Sequence, residues 1–298
     1  MDQAPRLVDR ALVRRRLARA EAAGFATFLV DRTGEELAER LGAVTRSFET
    51  VLDLGTPGKT AIDVLRRTGR ADRIVRLAGT PNAAGAETVV GDEEFLPFGP
   101  GSFDLAVTLL ALQSVNDLPG VLVQVRRALK PDGLLLGCMF GGGTLAEVRA
   151  AFTLAESEVE GGASPRVMPF ADVRTLGALL QRAGFALPVV DLETVVVRYR
   201  DLFGLMADLR AMGLTNPLSD RLRRSLRRAT LMRAASVYAE RFADPDGRVR
   251  ATFDLVWLSG WAPHESQPRP LRPGSAKARL ADALGTVEHR VGREEPSP

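Results

Sequence analysis

A short apolar strand that runs into Asp53-Leu54-Gly55-Thr56-Pro57-Gly58-Lys59 constrains this chain more than any other segment. A strand that ends on an acid and a glycine and turns at once into a helix belongs to open parallel sheets. In such sheets ligands sit beyond the carboxyl ends of the strands. The glycine lets the backbone come close to a ligand, and amides at the helix start can hold an anionic group. The glycine pattern here is irregular. Gly55 is in place, but Pro57 removes an amide donor, Gly58 is displaced, and Lys59 puts a cation where clearance is usual. A plain strand-to-helix link has the same form, so the turn alone does not establish a ligand.

The following segments keep the alternation. Strands are expected at 51–55, 73–78, 87–90, 103–110 and 134–140, with helices at 61–68 and 118–129. Such alternation implies a parallel sheet with right-handed crossovers. Helical spacing at 6–23 and 33–47 places two helices before the sheet, the second opened by a Thr33…Glu36 capping-box signature. After residue 144 the pattern changes. Helices are expected at 144–158, 172–182, 201–212 and 219–242, and strands at 189–198 and 252–261 that pair antiparallel at one sheet edge. Beyond Pro263 the Pro/Arg/Gly-rich chain reads as an extended or disordered tail.

Composition narrows the function classes. A net charge of +3 on 298 residues is too mild to indicate a nucleic-acid binder. One cysteine, Cys138, excludes a disulfide framework, and two histidines, His264 and His289, leave no His/Cys metal site. No apolar run is long enough to span a bilayer, which leaves only peripheral membrane contact open. Residues 10–19 are Arg-rich, yet Asp2, Asp9 and Glu21 argue against a transit peptide, so a soluble cytoplasmic protein is expected.

Two further observations bear on a nucleoside ligand. Asp92-Glu93-Glu94-Phe95-Leu96-Pro97-Phe98 leads into the fourth strand, where Asp92 can accept from an exocyclic amine and the Glu93 amide can meet a ring nitrogen. Against this, a nucleoside cofactor wants a carboxylate at the end of the second strand for its ribose hydroxyls. That stretch reads Val75-Arg76-Leu77-Ala78-Gly79-Thr80-Pro81, with no acid. No nucleophile stands out. Cys138 lies inside an apolar strand, Tyr199 and Tyr238 read as packing residues, and Asn116 and Asp117 read as helix caps. The arginine-dense 221–241 stretch reads as a solvated helix face, with a partner surface as the other reading.

With these residues in view, the chain resembles the methyltransferase-fold assembly factors of respiratory complex I, in their alphaproteobacterial form, from about residue 6 to 276. Besides the Asp92–Phe98 segment, the resemblance rests on Val115-Asn116-Asp117-Leu118-Pro119, on Leu129-Lys130-Pro131-Asp132-Gly133 and on Met139-Phe140-Gly141-Gly142-Gly143-Thr144-Leu145. It rests also on Glu160-Gly161-Gly162 and on Gly260-Trp261-Ala262-Pro263-His264-Glu265-Ser266-Gln267. The biotin-pathway O-methyltransferases are more distant relatives. The resemblance implies S-adenosylmethionine (SAM) as cofactor and a protein partner, the iron–sulfur subunit of complex I, on which the mitochondrial relative hydroxylates an arginine. The candidate cofactor contacts are Asp53, Gly55, Thr56, Gly58, Asp92, Glu93, Leu109 and Gln113, with catalytic residues open. Gln113-Ser114 stands where the family shows His-Trp, and Gly143 where it shows Asp.

The expected fold is therefore α/β, a class I SAM-methyltransferase-like Rossmann sheet of seven strands with the last antiparallel. Its parts are a helical cap at 1–48, a methyltransferase-like domain at 49–262 with a helical insertion near 200–242, and a tail at 263–298. The expected function is side-chain modification of a protein partner with a partly degraded SAM site. A non-catalytic scaffold and a small-molecule O-methyltransferase are the alternatives.

Overall fold

Seven strands build the molecule: β1 (Phe48–Leu54), β2 (Ala71–Ala78), β3 (Glu87–Val90), β4 (Phe103–Leu109), β5 (Leu129–Phe140), β6 (Ala186–Tyr199) and β7 (Val249–Trp261). They form one sheet in the order β3-β2-β1-β4-β5-β7-β6. The first five are parallel, and β7 runs antiparallel between β5 and β6. The computed structural model describes residues 6–79, 87–268, 285 and 286. Residues 1–263 form one compact unit and residues 264–298 a second. Of the second unit, the described residues include a short turn in which the His264 amide donates to Gln267 Oε1 at 3.2 Å. Most of the expected tail lies outside the described residues.

Helices cover both faces. On one face lie α2 (Phe28–Ala43), α3 (Thr60–Thr68), α5 (Ala146–Glu160), α7 (Leu202–Ala211) and α8 (Arg228–Phe242), around Leu37, Leu41, Val107, Phe253 and Trp257. On the other lie α4 (Leu118–Ala128) and α6 (Val173–Arg182), around Leu52, Leu122, Leu135 and Leu176. Burying a side chain of that size stabilises by roughly 1.5–3 kcal/mol each, which makes these two apolar layers the main support of the sheet. The first helix, α1 (Arg10–Ala23), stands at the carboxyl ends of the strands and takes Asp9 as its cap, whose side chain accepts from the Leu12 amide.

Three boundaries differ from the sequence expectation, each for a physical reason. α2 begins at Phe28, so Thr33 lies inside it and its hydroxyl donates to Val30 O at 2.8 Å instead of capping. Burial of Leu29 and Val30 overrides the cap signal there. Residues 219–227 are not helical, and α8 starts only at Arg228. Leu218 bridges instead to Val8, and the Arg221 side chain folds back on Leu218 O at 2.7 Å. Finally, β5 begins at Leu129, so Lys130-Pro131-Asp132-Gly133 lies within the strand at a register shift.

Candidate functional site at the carboxyl ends of the strands

β1 delivers Asp53 and Gly55 to the top of the sheet, with Arg76 of β2 in register beside Asp53. Both charged side chains are almost fully buried. Arg76 Nε lies 3.8 Å from Asp53 Oδ2, and the guanidinium donates to Thr56 O at 2.7 Å and Gly58 O at 2.6 Å. Arg76 thus staples the irregular loop from beneath. Burial pushes the Asp53 carboxyl above its ordinary value, with the Arg76 charge pulling the other way. Thr56 Oγ1 accepts from the Leu109 amide at 3.0 Å, tying the loop to β4. Gly55 takes a left-handed φ of 71°, and a Cβ there would come within 2.8 Å of Glu93 Oε1, so both backbone and space call for glycine.

The face that α1 turns toward the cleft carries Arg10, Val13, Arg14, Leu17, Ala18 and Glu21, at helical spacing. Its polar members meet the candidate nucleoside contacts one by one. Arg10 pairs with Asp92 at 3.0 Å and with Glu93, and Arg14 pairs with Asp92. Arg10 also donates to Ser114 O at 3.2 Å. Glu21 Oε1 accepts from the Gly58 amide at 3.3 Å, so a carboxylate of the chain itself sits on the loop. Burial alone would lower the Arg10 pKa, but Glu93 and Asp92 raise it on balance. For Asp92 burial raises the carboxyl, while the Glu94 amide, Arg14 and Arg10 bring it below its ordinary value.

α1 is held in this position from below. The Asn116 side-chain amide grips the Val8 backbone in both directions, accepting from its amide at 2.8 Å and donating to its carbonyl at 3.1 Å. The Asp9 amide donates to Pro217 O at 2.9 Å. Asn116 is therefore a clamp on α1, and Asp117 alone is the α4 cap, accepting from the Gly120 amide.

Among the described residues, the end of β2 offers no carboxylate to the ribose of a SAM-type cofactor. The described residues directly after Leu77, Ala78 and Gly79, are not acidic, and a Cβ added at Gly79 would meet Arg14 Cδ and Cγ at 3.3 Å. The Arg14 stem fills the space beside the strand end where ribose hydroxyls would need a carboxylate. The acids that could read an adenine are engaged by Arg10 and Arg14.

A cavity of about 280 Å³ opens next to this cluster. Of the eight candidate contacts, Gly55, Glu93 and Gln113 line it, while Asp53, Thr56, Gly58, Asp92 and Leu109 sit behind its wall. Gln113 donates to Leu110 O at 2.6 Å, and its Oε1 finds no partner among the described residues. Two lining leucines, Leu110 and Leu145, have φ of 50° and 55°, left-handed values that side chains avoid and that tend to collect at functional sites. The far wall is apolar and is made by Phe140, Phe152, Met168, Phe170, Met206 and Phe253.

Sequence reasoning assigned no role at the site to Arg10, Arg14, Glu21 or Arg76, and noted Ser114 only as a departure from the family pattern. The available signal was the four-residue spacing of Arg10 and Arg14, which puts both on one helix face. Elsewhere Cys138 is buried and its thiol is pushed well up by burial. Tyr238 is buried and donates to Arg250 O at 2.8 Å. Among the described residues no group of three His, Cys, Asp or Glu side chains is arranged to hold a metal ion. No described helix is long and apolar enough to cross a membrane.

Strand order, the strand-to-helix loop after β1 and the cleft above it define a class I methyltransferase-type protein, and the methyltransferase-domain family matches residues 24–188. The fold agrees with that of the YcgJ protein from Bacillus subtilis, at a TM-score of 0.53 and 13% identity over 78% of this chain and 99% of that one. More narrowly, the chain belongs to the family of the mitochondrial arginine-hydroxylase NDUFAF5 proteins. It is 40% identical to the Homo sapiens member over 88% of this chain and 77% of that protein, and 39% identical to the Danio rerio member over 86% and 81%. A malonyl-[acyl-carrier protein] O-methyltransferase from Methylovorus is 32% identical over 95% of this chain and 96% of its own length.

Proposed function

We propose that this chain acts on a protein partner in the assembly of respiratory complex I, with the iron–sulfur subunit as that partner, and that its nucleoside site is held shut by its own arginines. The family relationship supports the first part. One observation carries the second: Arg10 and Arg14 engage Asp92 and Glu93 while Arg14 packs on Gly79. SAM supplies a methyl group where it binds, and here Arg10 and Arg14 would have to withdraw before it could. In the closed form the chain's own residues do three things. Arg76 fixes the loop, Glu21 occupies a loop amide, and Arg10 and Arg14 engage Asp92 and Glu93.

Two experiments test the halves separately. Deleting the gene should lower assembled complex I, and unchanged complex I would overturn the assembly role. Calorimetry of the full chain with SAM should show no binding below the millimolar range. Micromolar affinity, about −8 kcal/mol, would overturn the shut site. An acid placed at Gly79 alone would be captured by Arg14, so the informative variant is Gly79→Asp with Arg14→Ala. We expect it to bind SAM at least about tenfold more tightly than wild type, from the ribose contact it restores. If it binds no better, the loop and not α1 is the obstacle.

A further inference from the structure

The apolar end of the cavity leads into a second feature that the assembly role does not use. A groove of about 590 Å³ adjoins the cavity, and the two share Arg166, Arg210, Thr215, Asn216 and Leu226 in their walls. Six arginines line the groove, Arg16, Arg19, Arg166, Arg210, Arg221 and Arg223, and no acidic residue does. Only two of the six are balanced by carboxylates: Arg166 by the buried Glu156, and Arg221 by Asp9 at 3.3 Å. Among the described residues Arg19, Arg210 and Arg223 make no ion pair. The Arg16 guanidinium spends its donors on Thr215 O, at 2.7 Å, and Asn216 O. Burial and the neighbouring Arg221 charge lower its pKa. The groove therefore holds unneutralised positive charge at close quarters, the condition under which an anion gains most from entering.

The arginines come from four separate elements, α1, the 161–170 loop, α7 and the non-helical 218–227 segment, converging on one opening. Just inside that opening the wall changes to Met168, Met206, Phe152 and Phe170. Methionines adapt to an apolar guest of variable shape, and phenylalanines give it area to bury. A ligand matched to this sequence of surfaces has an anion at one end and an apolar chain at the other. Guanidinium forks suit a phosphate, which can accept bidentate bonds from more than one arginine. The groove lacks an aromatic stacking row, and its inner end closes on the apolar wall, so a nucleic-acid strand matches it poorly.

We propose that this cavity and groove bind an amphipathic phosphate, with its acyl or alkyl chain in the Met/Phe chamber and its phosphate among Arg166, Arg210 and Arg223. The proposal uses the apolar wall and the groove arginines, none of which is a candidate nucleoside contact, and it does not rest on the complex I reading.

The test is calorimetry of the full chain with dodecyl phosphate, below its micellar concentration, against inorganic phosphate. We expect saturable binding of dodecyl phosphate and at least about tenfold weaker binding of inorganic phosphate, the chain supplying the difference. Arg210→Gln with Arg223→Gln changes two exposed side chains and should weaken dodecyl phosphate about tenfold through lost charged hydrogen bonds. Met206→Trp should abolish chain binding by filling the chamber, with thermal unfolding confirming that the fold persists. Binding that ignores both variants would be detergent-like adsorption and would overturn the site. No binding, or equal affinity for inorganic phosphate, would overturn it too. Vesicles of phosphatidylcholine with and without phosphatidic acid then identify the source. Cosedimentation that needs phosphatidic acid and is lost in Met206→Trp upholds the site with a membrane lipid as ligand. Binding of the soluble probe alone upholds it with a free acyl phosphate.

Discussion

The two ends of the cleft are lined by different materials. At the candidate nucleoside end, acids and arginines of the same chain neutralise one another. At the far end the wall is methionine and phenylalanine around an open cavity. One end is tied together by internal ion pairs, while the other keeps the space a ligand needs. The open end is continuous with the apolar layer around Trp257, since Phe140, Phe152 and Phe253 belong to both, whereas the ion pairs of the other end lie outside both layers.

The comparison predicts an asymmetry in stability. Arg10→Ala should cost the most, about 3 kcal/mol in denaturant unfolding, because Asp92 and Glu93 would be left half-buried without their cation. A loss below roughly 1 kcal/mol would mean that the acids are solvated after all. Asp92→Asn should cost less, about 1–2 kcal/mol at pH 7, and its cost should depend on pH. The Asp92 carboxyl is depressed below 3.8 in the folded chain, so its contribution is present above that value and is lost as pH falls through the lower, folded value. The wild-type and Asp92→Asn unfolding curves should converge in acid, and parallel curves would remove Asp92 from the cluster. Met206→Leu at the open end should change stability by less than about 1 kcal/mol. A larger loss would show the chamber wall to be packed like a core, erasing the contrast.

Much of the fold was legible in the sequence. Each strand of the parallel part is a short apolar run bounded by turn residues, and the segments at 189–198 and 252–261 carry enough β-branched and aromatic residues to declare an antiparallel edge. The altered loop and the missing acid at Ala78 and Gly79 were legible too, since both are local. The filling of the space was not. Arg10 and Arg14 lie some eighty residues from Asp92 and Glu93, and nothing local announces the pairing. Arg76 read as an ordinary strand residue, and only the register of β1 on β2 places it under the loop. The 219–227 arginines looked helical because arginine has good helix propensity, yet the segment follows the Val8–Leu218 bridge without helix, and Arg221 and Arg223 line the groove.

The grip of Asn116 on Val8 has a kinetic consequence. Two opposed hydrogen bonds from one side chain anchor the segment leading into α1, and the Arg10 and Arg14 pairs anchor the helix itself. A molecule that must displace the Arg10 and Arg14 pairs to reach Asp92 and Glu93 has to wait for that helix to lift. Its observed association rate would level off at high concentration at the opening rate of α1. Amide exchange along residues 10–23 would report the same rate without any ligand present.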